Sequence, residues 1–319
     1  MSLWQILRAT VNIKFKLTIA YDGTAYQGWQ LQKVGLGVQE KVEAALAKLY
    51  PSAPRLHSSS RTDTGVHALG MVAHFEIPRS EHKLPARRLA IALNAWLPDD
   101  IRVLSSVRAA KDFHARFHAS GKQYRYYVWN HHAMNPLLQK TAWHVTRKLD
   151  LKKMRAAAKA FPGEHDFQSF TAKTDYEPGT TTRRLTRCAI KKSGQLYTFI
   201  IEGEGFLYRM CRGIVGTLVQ VGFGKFPPEQ VKAMLEKKDR RAAGMSAPAH
   251  GLVLEKVFYK SKIAAAILSP PPRPSGERGV ELGDKKASSP RPSPPSGEER
   301  EEREEREEKS KSSAVLKKR

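Results

Sequence analysis

The sequence predicts an α+β fold built from two related sandwich-like halves, followed by a disordered tail. Strand-like and helix-like segments alternate through the first 262 residues, and each part of this body offers strands, crossover helices and at least one hairpin. The composition then changes abruptly, because proline, serine and charged residues dominate the remainder. We therefore expect an N-terminal extension (1–12), an N-terminal half (13–110), a C-terminal half (111–262) and a low-complexity tail (263–319).

The N-terminal half opens with a strand over 13–23 that ends in an Asp-Gly turn. Apolar residues at helical spacing predict a helix over 37–50. A strand over 71–77, a helix over 84–98 that proline terminates and a strand over 101–108 follow.

The C-terminal half contains the clearest strand pattern of the chain. Residues 122–130 alternate strictly, which predicts that Tyr124, Tyr126 and Val128 share one face of the strand. The remaining expected elements are a helix (149–161), a hairpin turning at Ser193-Gly194 (183–206), two helices (208–221 and 228–238) and a final strand (251–259).

The charge balance points to a polyanionic partner. The chain has 55 Lys and Arg against 31 Asp and Glu, a formal net charge of +24. Since the tail is almost balanced in charge, the excess lies in residues 1–262, where a fold can arrange it into a groove. Nucleic acid or an anionic membrane surface would suit such a body.

The sequence also predicts a cytoplasmic protein that spans no membrane and holds no metal. No apolar run approaches the length of a transmembrane helix, and residues 1–12 lack the features of a signal peptide. Cys188 and Cys211 form neither a disulfide framework nor a zinc quartet. His131 and His132 have no further ligands at metal-binding spacing, and no glycine-rich nucleotide loop occurs.

The stretch SSSRTDTGVHA, residues 58–68, contains a single carboxylate, Asp63. If the stretch is extended, Arg61 lies on the same side as Asp63, and its guanidinium favours the ionised carboxylate. An ionised carboxylate suits a nucleophile or a base rather than a general acid. Gly65 permits a positive φ angle. The alternative is a surface turn held by a local salt bridge, since such turns are common.

Two further features have two interpretations each, and a third has one. FHARFH (113–118) mixes Arg116 with aromatic and histidine side chains, so it either stacks on bases or packs at a domain junction. Tyr124 is a core tyrosine unless it contacts a substrate. The small residues of GIVGTLVQVG (213–222) favour close packing of a helix.

Seven motifs, in this order and spacing, resemble those of the tRNA pseudouridine synthase A family. The resemblance covers about residues 13–260, and RTDTGVHA is its most specific motif. The motifs are YDGTAYQGWQ (21–30), RTDTGVHA (61–68), DFHARFHA (112–119), KQYRYYVWN (122–130), HDFQSF (165–170), FLYRMCRGIVG (206–216) and HGLVLEKVFY (250–259).

The resemblance implies roles for four residues. Asp63 matches the catalytic aspartate, and Arg61 matches the arginine that pairs with it and helps to displace the target base. Tyr124 matches the tyrosine that contacts the target uracil. Arg212 matches a basic position near the active-site cleft.

The resemblance further implies two halves whose antiparallel sheets join into one curved sheet, with the cleft between them. It implies a homodimer that isomerises uridine to pseudouridine at tRNA positions 38, 39 and 40 without cofactor or metal. Two other classes stay open: a non-catalytic RNA-binding protein, and another carboxylate enzyme such as a nucleoside hydrolase. The latter would normally need a second carboxylate near the first.

Overall fold

The structure is a computed structural model, and it describes residues 12–30, 35–172 and 180–260. The predicted tail lies outside the described residues, as does the predicted N-terminal extension up to residue 11. The described chain combines five α-helices with one sheet of ten strands, so the predicted α+β class is confirmed.

The strands occur close to where the sequence predicts them. They are β1 (Asn12–Tyr21), β2 (His57–Ser58), β3 (His67–Pro78), β4 (Ile101–Arg108), β5 (Ala119–Asn130), β6 (Trp143–Val145), β7 (Gly163–Asp166), β8 (Thr182–Ser193), β9 (Leu196–Gly203) and β10 (Leu252–Tyr259). The helices are α1 (Val38–Leu49), α2 (Ala86–Asn94), α3 (Leu151–Ala158), α4 (Met210–Gly222) and α5 (Gln230–Glu236).

The sheet runs in the order β4-β1-β3-β10-β5-β9-β8-β7, with β2 paired to β3 and β6 to β5. The last strand, β10, therefore joins the strands of the N-terminal part to those of the C-terminal part. It pairs antiparallel with β5, but its short pairing with β3 is parallel, through Val253 opposite His67 and Leu254 opposite Ala68. One sheet thus spans both parts of the chain, as expected, and its junction includes a short parallel pairing. The division at residue 110 stays a prediction.

The alternation predicted for β5 is confirmed. Tyr124, Tyr126 and Val128 are buried, whereas the side chains between them are only partly covered. The hairpin is also present, with β8 ending at Ser193 and β9 beginning at Leu196. Strand β3 begins at His67, earlier than the predicted 71–77, because its first residues pair with β1 and β10.

Close packing of α4, which the small residues predict, is confirmed. A Cβ atom added at Gly213 would lie 2.4 Å from the Phe170 carbonyl oxygen, and one at Gly216 would lie 1.8 Å from that of Met245. Since real Cβ atoms do not come so near, the helix can lie against these two segments only with glycine at both positions. This packing sets the position of the first turn of α4, which carries Arg212.

Candidate active site

The loop between β2 and β3 carries Asp63, and backbone hydrogen bonds hold it against residues 26–29. The Trp29 N–H donates to the Thr62 carbonyl over 3.3 Å, and the Gly65 N–H donates to the Tyr26 carbonyl over 3.2 Å. Gly65 has a φ angle of +75°, as its place in the turn predicts. The motif at 21–30 therefore supports the loop that presents the carboxylate.

Arg212 is the ion-pair partner of Asp63. Its Nη1 atom donates to the Asp63 Oδ2 atom over 3.3 Å, and its Nε atom donates to the Ala247 carbonyl over 2.7 Å. The two side chains are only 12% and 19% exposed, so the pair is largely shielded from water. The contact with Ala247 orients the guanidinium, and the guanidinium in turn orients the carboxylate.

Burial raises the pKa of the Asp63 carboxyl above its ordinary value, while the guanidinium groups of Arg212 and Arg209 act in the opposite direction. The sequence predicted a carboxylate whose ionised form is favoured by an adjacent arginine. The cations that act in this way are Arg212 and Arg209 instead of Arg61, and removal from water outweighs them, so the net direction of the pKa is upward. The arginines limit the increase and help the carboxylate to stay ionised.

The expected pairing of Arg61 with Asp63 is wrong. Arg61 is exposed, and no ion pair joins it to Asp63 among the described residues. The alternation rule applies to a strand, whereas residues 59–66 form a loop with a turn at Thr64 and Gly65. Arg61 instead lines the cavity in front of the carboxylate.

Tyr124 lies on the same cavity, 6% exposed. Its hydroxyl group is 3.2 Å from the Ser60 Oγ atom, and its ring meets Phe206 edge to face with the centroids 4.9 Å apart. Burial raises the pKa of the Tyr124 phenol, so it remains a protonated hydrogen-bond donor at neutral pH.

A cavity of about 950 Å³ brings Asp63, Arg61 and Tyr124 together. Its walls come from both parts of the chain, and Asp63 is the single carboxylate among the described residues that line it. Arg212 contacts Asp63 but is not among those residues. The cationic lining side chains are Arg55, Arg61, Arg116, Lys122, Arg183 and Arg209.

Sequence reasoning missed four of these cations, namely Arg55, Lys122, Arg183 and Arg209. Lys122 precedes Tyr124 by two positions on β5, so the strand alternation could have found it. Burial and the nearby Arg116 lower the pKa of the Lys122 ammonium group. Arg209 adopts a φ angle of 58° immediately before α4, and no sequence pattern indicates that conformation.

The histidines near the site have structural contacts. The His67 Nδ1 atom accepts the Gly23 N–H over 3.0 Å, and the His74 Nδ1 atom accepts the Ala115 N–H over 3.2 Å. Burial, with like charges nearby, lowers the pKa of His74 to about 4.

Within the described residues, no group of three or more His, Cys, Asp or Glu side chains could hold a metal ion. In the same part of the chain, no helix combines the length and apolar character needed to cross a bilayer.

Comparison with known proteins yields a family and close relatives. The sequence profile of the family described as "tRNA pseudouridine synthase" matches residues 17–118 and 157–260. This chain belongs to that family. Membership confirms the resemblance seen in the motifs and makes the protein an isomerase.

Three relatives named tRNA pseudouridine synthase A illustrate the similarity. The protein of Pelobacter propionicus is 47% identical over 244 residues, which cover 76% of this chain and 98% of that protein. The proteins of Geotalea uraniireducens and Bacillus subtilis are each 44% identical, over 246 and 250 residues, and each alignment covers 77% of this chain and 99% of the relative. This chain therefore contains almost the full length of each relative.

Proposed function

We propose that this enzyme converts uridine to pseudouridine at positions 38, 39 and 40 of the tRNA anticodon stem-loop, with Asp63 as the catalytic nucleophile. The main observation that supports this proposal is that Asp63 is the single carboxylate among the described residues that line a cationic cavity. Family membership supplies the reaction class, and the cavity supplies one group able to attack a nucleoside as an anion.

The isomerisation breaks the N1–C1′ bond of the nucleotide, turns the uracil and forms a C1′–C5 bond. C5 then loses its proton and N1 gains one, and any bond between Asp63 and the nucleotide is broken again, so no atoms are gained or lost overall. A paired uridine must first leave the helix to reach Asp63, and extrusion costs a few kcal/mol. Phosphate contacts from the cationic wall offset that cost. Arg61, exposed on this wall, displaces the target base, and Tyr124 contacts the uracil.

The pairing of Asp63 with Arg212 supports the role of nucleophile. A buried carboxyl without a cation would bind a proton more tightly and attack less readily. Arg212 keeps the carboxylate ionised and directed into the cavity. We also propose that the enzyme works as a cytoplasmic homodimer on tRNA, as the resemblance implies.

The test is incubation with an unmodified tRNA transcript, followed by mapping of pseudouridine and an assay for free uracil. Wild-type protein should form pseudouridine at positions 38–40, and a transcript with cytidine at those positions should stay unmodified. Release of free uracil would instead indicate a nucleoside hydrolase, and binding with neither product would indicate an RNA-binding protein. Light scattering on the same preparation distinguishes a dimer from a monomer.

A further inference from the structure

Phe117 presents a large apolar ring to solvent at the edge of the catalytic cavity. Its side chain is 74% exposed, although phenylalanine is usually buried. It lines the same cavity as Asp63 and Tyr124. The ring belongs to the FHARFH stretch, for which the sequence left stacking and packing both open.

The turn that carries this ring is held in place by His114. The two rings stack, with centroids 4.2 Å apart and an interplanar angle of 28°. The His114 Nδ1 atom accepts the N–H groups of Arg116 and Phe117, over 3.1 and 3.3 Å. One face of the Phe117 ring is therefore covered and its backbone is fixed, while the ring remains largely exposed.

A second histidine supports the first. The His74 ring meets the His114 ring edge to face at 4.7 Å, and its Nδ1 atom accepts the Ala115 N–H. Both Nδ1 atoms must be unprotonated to accept these bonds, and burial lowers the pKa of both rings. The hydrogen bonds that His114 and His74 accept therefore persist at neutral pH. An exposed ring whose position is fixed in advance favours binding of a ligand that stacks on it.

The charge around the ring suits a nucleic acid. The Arg116 guanidinium lies 5.9 Å from the Phe117 ring centroid, and Lys122 is near enough to Arg116 for the arginine to lower its pKa. An aromatic ring beside cations is the combination that binds an unpaired base together with its phosphate.

We propose that the Phe117 ring stacks on the base next to the target uridine. When the uridine is extruded, its neighbour loses a stacking partner, and the aromatic ring replaces it. Arg116 is then beside the phosphate between the two nucleotides. This inference rests on the proposed function for the identity of the RNA, but it requires no chemistry at Asp63.

The test is a double-mutant cycle on binding. Phe117→Leu removes the aromatic ring, whereas Phe117→Trp keeps an aromatic ring at this position. Trp96→Leu is the control, because Trp96 is an aromatic residue that is 58% exposed and does not line the cavity. The RNA is an anticodon stem-loop, either intact or abasic at the nucleotide on one or the other side of the target. Affinity is measured by fluorescence anisotropy and folding by the thermal midpoint.

On intact RNA, Phe117→Leu should weaken binding about 5- to 150-fold, the range for loss of one stacked base, while Phe117→Trp and Trp96→Leu should stay near wild type. With one of the two abasic RNAs, the effect of Phe117→Leu should vanish, because its partner base is gone. Unchanged binding of Phe117→Leu, or an equal loss on all three RNAs, would overturn the inference. A change in the oligomeric state of the Phe117→Leu variant would also overturn it, because the ring would then contact a second copy of the chain rather than RNA. Because binding needs no catalysis, the cycle gives an answer even if the wild type forms no pseudouridine.

Discussion

The Nη1 atom of Arg212 lies 3.3 Å from the Oδ2 atom of Asp63, and 149 residues of sequence separate the two side chains. One comes from the loop before β3, and the other from the first turn of α4. The charged pair therefore exists only when both parts of the chain are folded together. Its geometry and the burial around it lead to the first three predictions.

Asp63→Asn should abolish pseudouridine formation, by about 10⁴-fold or more, because the amide cannot act as an anionic nucleophile. Its affinity for tRNA should stay near wild type. Product mapping and anisotropy measure the two effects separately, with Asp99→Asn, a change at a fully exposed carboxylate, as the control. Turnover close to wild type would remove Asp63 from the mechanism.

The difference in stability between the same variant and the wild type should depend on pH. Burial raises the pKa of Asp63 in the folded state, so the carboxyl favours folding below its ordinary pKa. This contribution to stability is lost as the pH rises through the pKa of Asp63 in the folded state. An asparagine side chain is neutral over the whole pH range and shows no such loss. The thermal midpoint of the variant, relative to that of the wild type, should therefore increase between acid and neutral pH. A difference in thermal midpoint that stays constant with pH would show that the pKa of Asp63 is not coupled to folding.

Arg212→Met should shift the acidic limb of the pH–rate profile to higher pH, because Asp63 loses the cation that opposes the effect of burial. The variant should also unfold more easily, by roughly 3–5 kcal/mol, the usual effect of breaking a buried pair. Arg212→Lys keeps the charge and loses the planar fork, so its profile should lie between those of wild type and Met. If all three profiles coincide, Arg212 does not control the ionisation of Asp63.

Tyr124→Phe should bind tRNA normally and turn over more slowly, because the ring stays while the hydroxyl group near Ser60 is lost. Tyr124→Leu should lose turnover and also about 1–3 kcal/mol of binding, the value of a stacked base. Single-turnover rates and affinities distinguish these effects, with Tyr127→Phe on the other face of β5 as the control. Full activity of both Tyr124 variants would assign the residue to packing alone.

The affinity for tRNA should fall steeply with salt, because the cavity wall is cationic and phosphate contacts release counterions. Lys122 has no salt bridge or side-chain hydrogen bond within the described residues, so its ammonium group is available for a phosphate. Lys122→Met should reduce the slope of log K against log salt by about one. Lys153→Met, on α3 and away from the cavity lining, should leave the slope unchanged. Equal slopes for both variants would exclude a phosphate contact at Lys122.

The sequence by itself determined the elements that depend on local pattern. The period of two in β5 predicted that Tyr124 and Tyr126 share its buried face, and the small residues of α4 predicted close packing. Its motifs also identified the family and singled out Asp63. These features could be predicted because each depends on residues adjacent in the chain.

Only the tertiary structure decided which arginine pairs with Asp63 and in which direction its pKa moves. Alternation favoured Arg61, two positions away, but a loop does not follow the period of a strand. Arg212 reaches Asp63 because α4 packs through its glycines and β10 joins β3 to β5. The pKa is raised because the folded chain removes the carboxyl group from water, and burial depends on every segment around it, whichever residues stand beside it in the sequence.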